Sequence, residues 1–218
     1  MLPLISTAKT YKKGKITMGK MNLLKANWEG KVGQTVGAKW KNLSTIRTYT
    51  KPSNPKTADQ QKVRSVFAEM TSFVALFADQ IKYLSALNTS GQSVRNAIIQ
   101  ANKAQIMGGA FNKDTLIISK GGLQKVAGES ASQATGKVTV TWNAPTATNF
   151  TENAKLVAVM VQPESGLVEV AEADAKAATL TGEITFASGS VDIYVYYLDK
   201  RGSNKVASIS DHLSVSVD

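Results

Sequence analysis

The period of the apolar residues changes from helical to strand-like between residues 63 and 217, and that change limits the available folds more than any other feature. From Val63 through Val66, Phe67, Met70, Phe73, Val74, Phe77 and Ile81 to Leu84, apolar positions recur every three to four residues, as on one buried face of an α-helix. After Gly121-Gly122 the spacing falls to two. Lys137-Val-Thr-Val-Thr-Trp142, Val191-Asp-Ile-Tyr-Val-Tyr196 and Leu213-Ser-Val-Ser-Val217 alternate in the manner of half-buried strands. Further β-rich runs at 155–161, 167–170, 177–181, 184–186 and 206–209 give about seven short strands, the spacing of a β-sandwich.

The helical stretch has a marked beginning. In Lys51-Pro-Ser-Asn-Pro-Lys, Pro52 forces an extended entry, Asn54 offers a capping oxygen, and Pro55 sits where a missing N–H costs nothing. Asn88-Thr-Ser-Gly91 interrupts the pattern. A second helix is predicted over 93–107, with Val94, Ala97, Ile98, Ala101 and Ile106 on one face and Gly108-Gly109 as its stop. The two helices form an expected antiparallel hairpin. Upstream, the runs Gly30 to Trp40 and Leu43 to Tyr49 flank Lys41-Asn42, which predicts a β-hairpin. Gly33 and Gly37 mark bulges or close backbone approach within it.

Residues 1–20, with five lysines and no clean period, read as an arm ordered by whatever it touches. A short strand at 115–119 and a soft linker through 121–136 complete the reading. The expected fold class is therefore α+β: a basic arm, a β-hairpin and a helical hairpin over 1–126, then an all-β sandwich over 127–218.

Charge divides the chain in the same place. Residues 1–126 hold 20 Lys/Arg against 5 Asp/Glu, and residues 127–218 hold 6 against 11. Within 1–56 there are 12 basic residues and one acid, Glu29. A field of this kind acts on partners rather than on the fold. Lys9, Lys12, Lys13, Lys15, Lys20, Lys25, Lys39, Lys41, Arg47 and Lys51 interleave with Tyr11, Trp28, Trp40 and Tyr49. Lysines neutralise phosphates and aromatic rings stack on bases, so these ten residues are candidate contacts to nucleic acid or to an acidic protein.

Catalytic chemistry finds little support. The chain has no cysteine, which removes thiolate nucleophiles, disulfides and Cys-based zinc sites, and His212 is its single histidine. Gly14-Lys-Ile-Thr-Met-Gly19-Lys20 has phosphate-loop spacing, but Met21 stands where a metal-binding Ser or Thr is required, and no apolar strand precedes it. Glu169, Glu172 and Asp174 lack the spacing and turn glycine of a calcium loop and read as a surface loop. No cofactor, metal or catalytic residue is expected, nor a membrane span or signal segment, and the chain reads as soluble and unprocessed.

Two resemblances add to this reading. Val138-Thr-Val-Thr-Trp142-Asn-Ala-Pro145 and the later Tyr194-Val-Tyr196 strand resemble strands of a fibronectin type III or related immunoglobulin-like module, which implies that fold for roughly 130–218. Gly30-Lys-Val-Gly-Gln-Thr-Val-Gly-Ala-Lys-Trp40-Lys, with Arg47, Lys51-Pro52, Thr57 to Gln60 and Arg64 to Phe67, resembles a family of proteins from Bacteroides-type bacteria, their prophages and crAss-like phages. That likeness spans about 18–85. It marks Trp40, Pro52, Asn54, Pro55, Gln60, Arg64 and Phe67 as motif residues and implies no particular activity.

The phage association, the basic arm and the immunoglobulin-like end together suggest a non-enzymatic virion structural protein. It would reside in the virion, and in host cytoplasm during assembly, in the portal and tail-ring region or on the capsid. Its expected partners are other virion proteins and copies of itself in a ring or shell, joined by arm and hairpin contacts. The alternative is a phage-encoded nucleic-acid-binding accessory protein touching DNA through the basic region.

Overall fold

The computed structural model describes residues 19–20, 30–40, 43–51, 53–54, 56–87, 91–202 and 204–217. The chain forms two compact units, 1–55 and 56–218. In the first, β1 (Gly19–Lys20), β2 (Gly30–Val32), β3 (Thr35–Trp40) and β4 (Leu43–Thr48) make an antiparallel sheet in the order β1-β4-β3-β2. The expected hairpin is the β3–β4 pair, closed with Trp40 opposite Leu43. Two further strands flank it. β2 joins β3 through a two-residue turn in which Gly33 has φ +60°, a conformation glycine enters without steric cost.

The second unit opens with α1 (Ala58–Phe77), then α2 (Val94–Ala101) and α3 (Lys103–Gly108). The start of α1 differs from the sequence expectation. Lys56 has φ +49° and cannot be helical, so Thr57 is the N-cap and its hydroxyl accepts the Gln60 N–H. Asn54 lies upstream of the helix, and Pro52 and Pro55 fall outside the described residues. At the far end the helix stops at Phe77, and successive turns carry the chain through Ile81 to Leu84. Freed carbonyls there find other donors: Tyr196 Oη donates to Leu84 O and Lys205 Nζ to Tyr83 O.

The predicted second helix is broken by Asn102, which is buried. Its Nδ2 donates to Ile98 O and Ile117 O at 2.9 and 2.8 Å, and its Oδ1 accepts the Ile117 N–H at 2.9 Å. The side chain thus interrupts the helix in order to satisfy the backbone at Ile117. That demand also explains the absence of a strand at 115–119: a 3₁₀ turn at Lys113–Thr115 leads into an irregular stretch. The predicted stop is present, with Gly109 capping α3 in the left-handed region.

The sandwich comprises β5 (Ser130–Ala134), β6 (Lys137–Thr141), β7 (Ala154–Gln162), β8 (Leu167–Asp174), β9 (Thr179–Thr181), β10 (Gly189–Arg201), β11 (Asn204–Ala207) and β12 (Asp211–Val217). One sheet is ordered β5-β6-β9. The other runs β8-β7-β10, with β11 and β12 both paired to β10. This is an immunoglobulin-like sandwich, and the whole is α+β. The stretch expected as linker contains β5, an edge strand joined to β6 by a turn with positive φ at Thr135 and Gly136. Residues 184–186 form no strand, because the Glu183 and Ile184 N–H groups are taken by the Glu169 carboxylate of β8. Glu169 is correspondingly buried on a strand, not in a surface loop.

Packing explains why residues 56–218 form one unit with no seam at 126/127. β7 and β10 are buried on both faces. Leu156, Ala158, Met160, Ile193, Val195 and Tyr197 meet Val138, Val140 and Trp142 of the smaller sheet. Val157, Val159, Val161, Tyr194, Tyr196 and Leu198 meet Met70, Phe73, Val74, Phe77 and Ile98 of the helices. A strand covered twice carries a continuous apolar run, as β7 does. The helices are therefore a third layer of the same core. No helix among the described residues is long and apolar enough to cross a membrane.

Candidate functional site

Two polar constellations stand out from this frame, one in each unit. In the larger unit, Asp192 of β10 is nearly buried and gathers partners from two other elements. Lys113 Nζ lies 2.8 Å from its Oδ2, and His212 Nε2, on β12, lies 3.1 Å from its Oδ1. The other His212 nitrogen, Nδ1, is 3.0 Å from the exposed Asp114. Tyr194 Oη donates to Lys113 O. Burial opposes charge on Asp192, yet hydrogen bonds from His212 and Lys113, with the Lys113 charge, hold its carboxyl below the usual range. Burial beside two aspartates pushes the Tyr194 phenol up.

This constellation acts as a clasp between the 3₁₀ turn and the sheet. His212 is a packed strand residue with both ring nitrogens committed to carboxylates. Among the described residues no group of His, Cys, Asp or Glu is arranged to hold a metal ion. The remaining cations of this unit with a carboxylate at hand are likewise spent inside it: Lys125 on Asp211, Lys155 and Lys200 on Glu172, Arg201 on Asp199.

The smaller unit carries a cluster of exposed cations. Its register sets Lys31 of β2 opposite Val36 of β3, and Val36 opposite Arg47 of β4. Directly opposed residues share a sheet face, so Lys31 and Arg47 flank Val36 on one side. Tyr49, two residues beyond Arg47, returns to that side, and its ring centroid lies 3.8 Å from Lys31 Nζ, within cation–π range. The Tyr49 N–H donates to Gln34 O, which fixes the strand end. Lys31, Arg47, Tyr49 and Lys51 are all exposed. None of the three cations lies at ion-pair distance from a described carboxylate, and no Asp or Glu occurs between Gly30 and Ala58.

Of the sequence candidates, Arg47 lies on this face, and the exposed Lys51 follows Tyr49 by two residues in the chain. Lys20 is placed in β1 opposite Thr45, Lys39 in β3 opposite Ser44, and Trp40 at the β3 end. Lys9, Lys12, Lys13, Lys15, Lys25 and Lys41 lie outside the described residues, as do Pro52 and Pro55. Lys31 belongs to the same basic, aromatic-interleaved run as the ten sequence candidates, and the register puts it across Val36 from Arg47. The motif residues Gln60, Arg64 and Phe67 fall on α1. Thr57-x-x-Gln60 has the spacing of a capping box, so this part of the motif is a helix start. Arg64 and Phe67 are exposed on the same helix, and Phe67 retains 46% of its accessibility.

The chain belongs to a family of unknown function, DUF6266, whose model matches residues 26–211 and so covers the basic sheet and most of the larger unit. No curated protein matches the sequence. Among solved structures, the chain is similar to the crystal structure of the rat CD45 extracellular region, domains d3–d4. The identity is 18%, over 45% of this chain and 52% of that one, with a TM-score of 0.35. The chain thus spans about half the length of that structure, and a likeness at this level carries no argument about function.

Proposed function

We propose that this chain is a non-enzymatic structural protein of a phage particle, joined to its neighbours through the basic N-terminal unit, with the larger unit as a self-contained body. The observation that carries the reading is the exposed cationic face of the basic sheet: Lys31, Arg47 and Lys51 are exposed, none lies at ion-pair distance from a described carboxylate, and the stretch from Gly30 to Ala58 holds no Asp or Glu. Charge left uncompensated by its own fold is available to a partner.

The resemblance of the N-terminal part to proteins of Bacteroides-type bacteria and their phages supports the particle. Copies arranged in a ring or shell, in the portal and tail-ring region or on the capsid, would use this unit at each junction. Mass spectrometry of purified particles from an infected or induced host tests the proposal. The chain is expected at a fixed ratio to the major shell protein, and its absence would overturn the reading.

A further inference from the structure

We propose that the exposed face formed by Lys31, Arg47 and Tyr49, together with the exposed Lys51 that follows in the chain, binds the phosphate backbone of nucleic acid without regard to sequence. The proposal rests on the reading of the N-terminal unit as the partner-facing part and names what that part touches. Three observations bear on it.

The first is spacing. Lys31 and Arg47 sit one strand to either side of Val36, and neighbouring strands lie about 4.8 Å apart, so the two cations stand roughly 10 Å apart on one face. A nucleic-acid strand carries a phosphate about every 3.4 Å of helix axis, and such a pair therefore engages phosphates a few nucleotides apart. The second is compensation. No acid occurs between Gly30 and Ala58, so nothing on this stretch of chain repels a polyanion or competes for the cations.

The third is an aromatic ring beside the cations. Non-specific nucleic-acid surfaces combine the two, and Tyr49 is 44% exposed with Lys31 Nζ 3.8 Å from its ring centroid. Sequence indifference follows because cations directed at phosphates carry no base information.

The test uses the full chain and fluorescence anisotropy with labelled mixed-sequence duplex and single-stranded DNA over a series of salt concentrations. Wild-type affinity is expected to fall linearly on logarithmic axes. Joint replacement Lys31→Gln, Arg47→Gln and Lys51→Gln should make the slope shallower by about 2 to 3, because each phosphate no longer neutralised removes about 0.7–0.9. The charge-keeping set Lys31→Arg, Arg47→Lys and Lys51→Arg should keep the wild-type slope. Circular dichroism checks folding. If the triple variant unfolds, Lys31→Gln and Arg47→Gln alone should each remove about 0.7–0.9.

An unchanged slope in the Gln variants would overturn the proposal, as would equal loss in the charge-keeping set or no wild-type binding at low salt. Polyglutamate competing as well as DNA of equal charge would overturn it in favour of an acidic protein. These measurements are made on purified protein, so their failure leaves particle membership standing, and absence from particles leaves DNA binding standing.

Discussion

Replacing Phe77 by alanine asks whether the helices and the sandwich are one cooperative structure. Phe77 is fully buried between layers. Its ring meets Phe73 edge-on at 5.8 Å between centroids and lies 6.2 Å from Tyr194 on β10. Truncation of a buried phenylalanine costs about 3–5 kcal/mol, including the cavity left behind. For a domain of this size each kcal/mol shifts the melting temperature by about 2–4 °C, so a fall of roughly 10 °C is expected. The informative comparison is between two probes. Far-ultraviolet circular dichroism follows the helices, and fluorescence of Trp142, with Trp28 and Trp40 replaced by phenylalanine, follows the sandwich on the far side of the sheet. Both transitions should move together and by the same amount. Loss of the helical signal at a lower temperature, with the Trp142 transition unmoved, would refute the shared core and restore a division near residue 126.

Other expectations follow from single contacts. Thr57→Ala should lower stability by about 1 kcal/mol in urea unfolding, the usual loss for an N-cap, and no loss would place the helix start elsewhere. Gly121→Ala would press a methyl group against Ala207 O, displacing the connector whose Leu123 N–H donates to that same carbonyl. A cost of about 1–3 kcal/mol is expected, and a neutral result would mean the connector is not held there. Asp192 and Asp199 both have carboxyls held below their usual range. At Asp199 burial opposes charge but hydrogen bonds from Thr151 and Arg201 prevail. The unfolded chain takes up these protons first as pH falls, so their stabilisation is complete above about pH 4 and drains away below it. Asp192→Asn should therefore flatten the acid limb of a stability–pH curve, and an acid limb identical to wild type would count against the clasp.

The sandwich was legible where one face of a strand meets the core and the other meets water or polar neighbours. Val138, Val140 and Trp142 alternate with threonines for that reason, and the alternation reads correctly as a strand. The third layer was harder to see. Its signal was the unbroken run Leu156 to Val161, which marks a strand covered on both faces, yet a single apolar run does not say what covers it. β5 was missed because Ser130 to Ala134 is as polar as a linker. Its strand character comes from pairing with β6, where Ser130 and Thr141 hydroxyls meet at 2.8 Å.

The break at Asn102 depends on Ile117, and the clasp joins Lys113, Asp192 and His212 across long separations, so neither could be read from local pattern. At the candidate site, composition drew attention to the basic stretch of chain that holds Arg47 and Lys51. It could not rank lysines within that stretch, because ranking requires knowing which residue of β3 lies between Lys31 and Arg47. The helix start shows the same limit. Asn54-Pro55 and Thr57-x-x-Gln60 are both sound capping signals, and the positive φ of Lys56 decides between them.

The central claim is that the basic N-terminal unit attaches this chain and the larger unit does not. Quantitative mass spectrometry of purified particles, assembled with either the full chain or residues 56–218, tests it most directly, with circular dichroism verifying that the shorter chain is folded. The full chain should be present at a fixed copy number, and the folded shorter chain should be reduced to background. Incorporation of residues 56–218 at the level of the full chain would contradict the account.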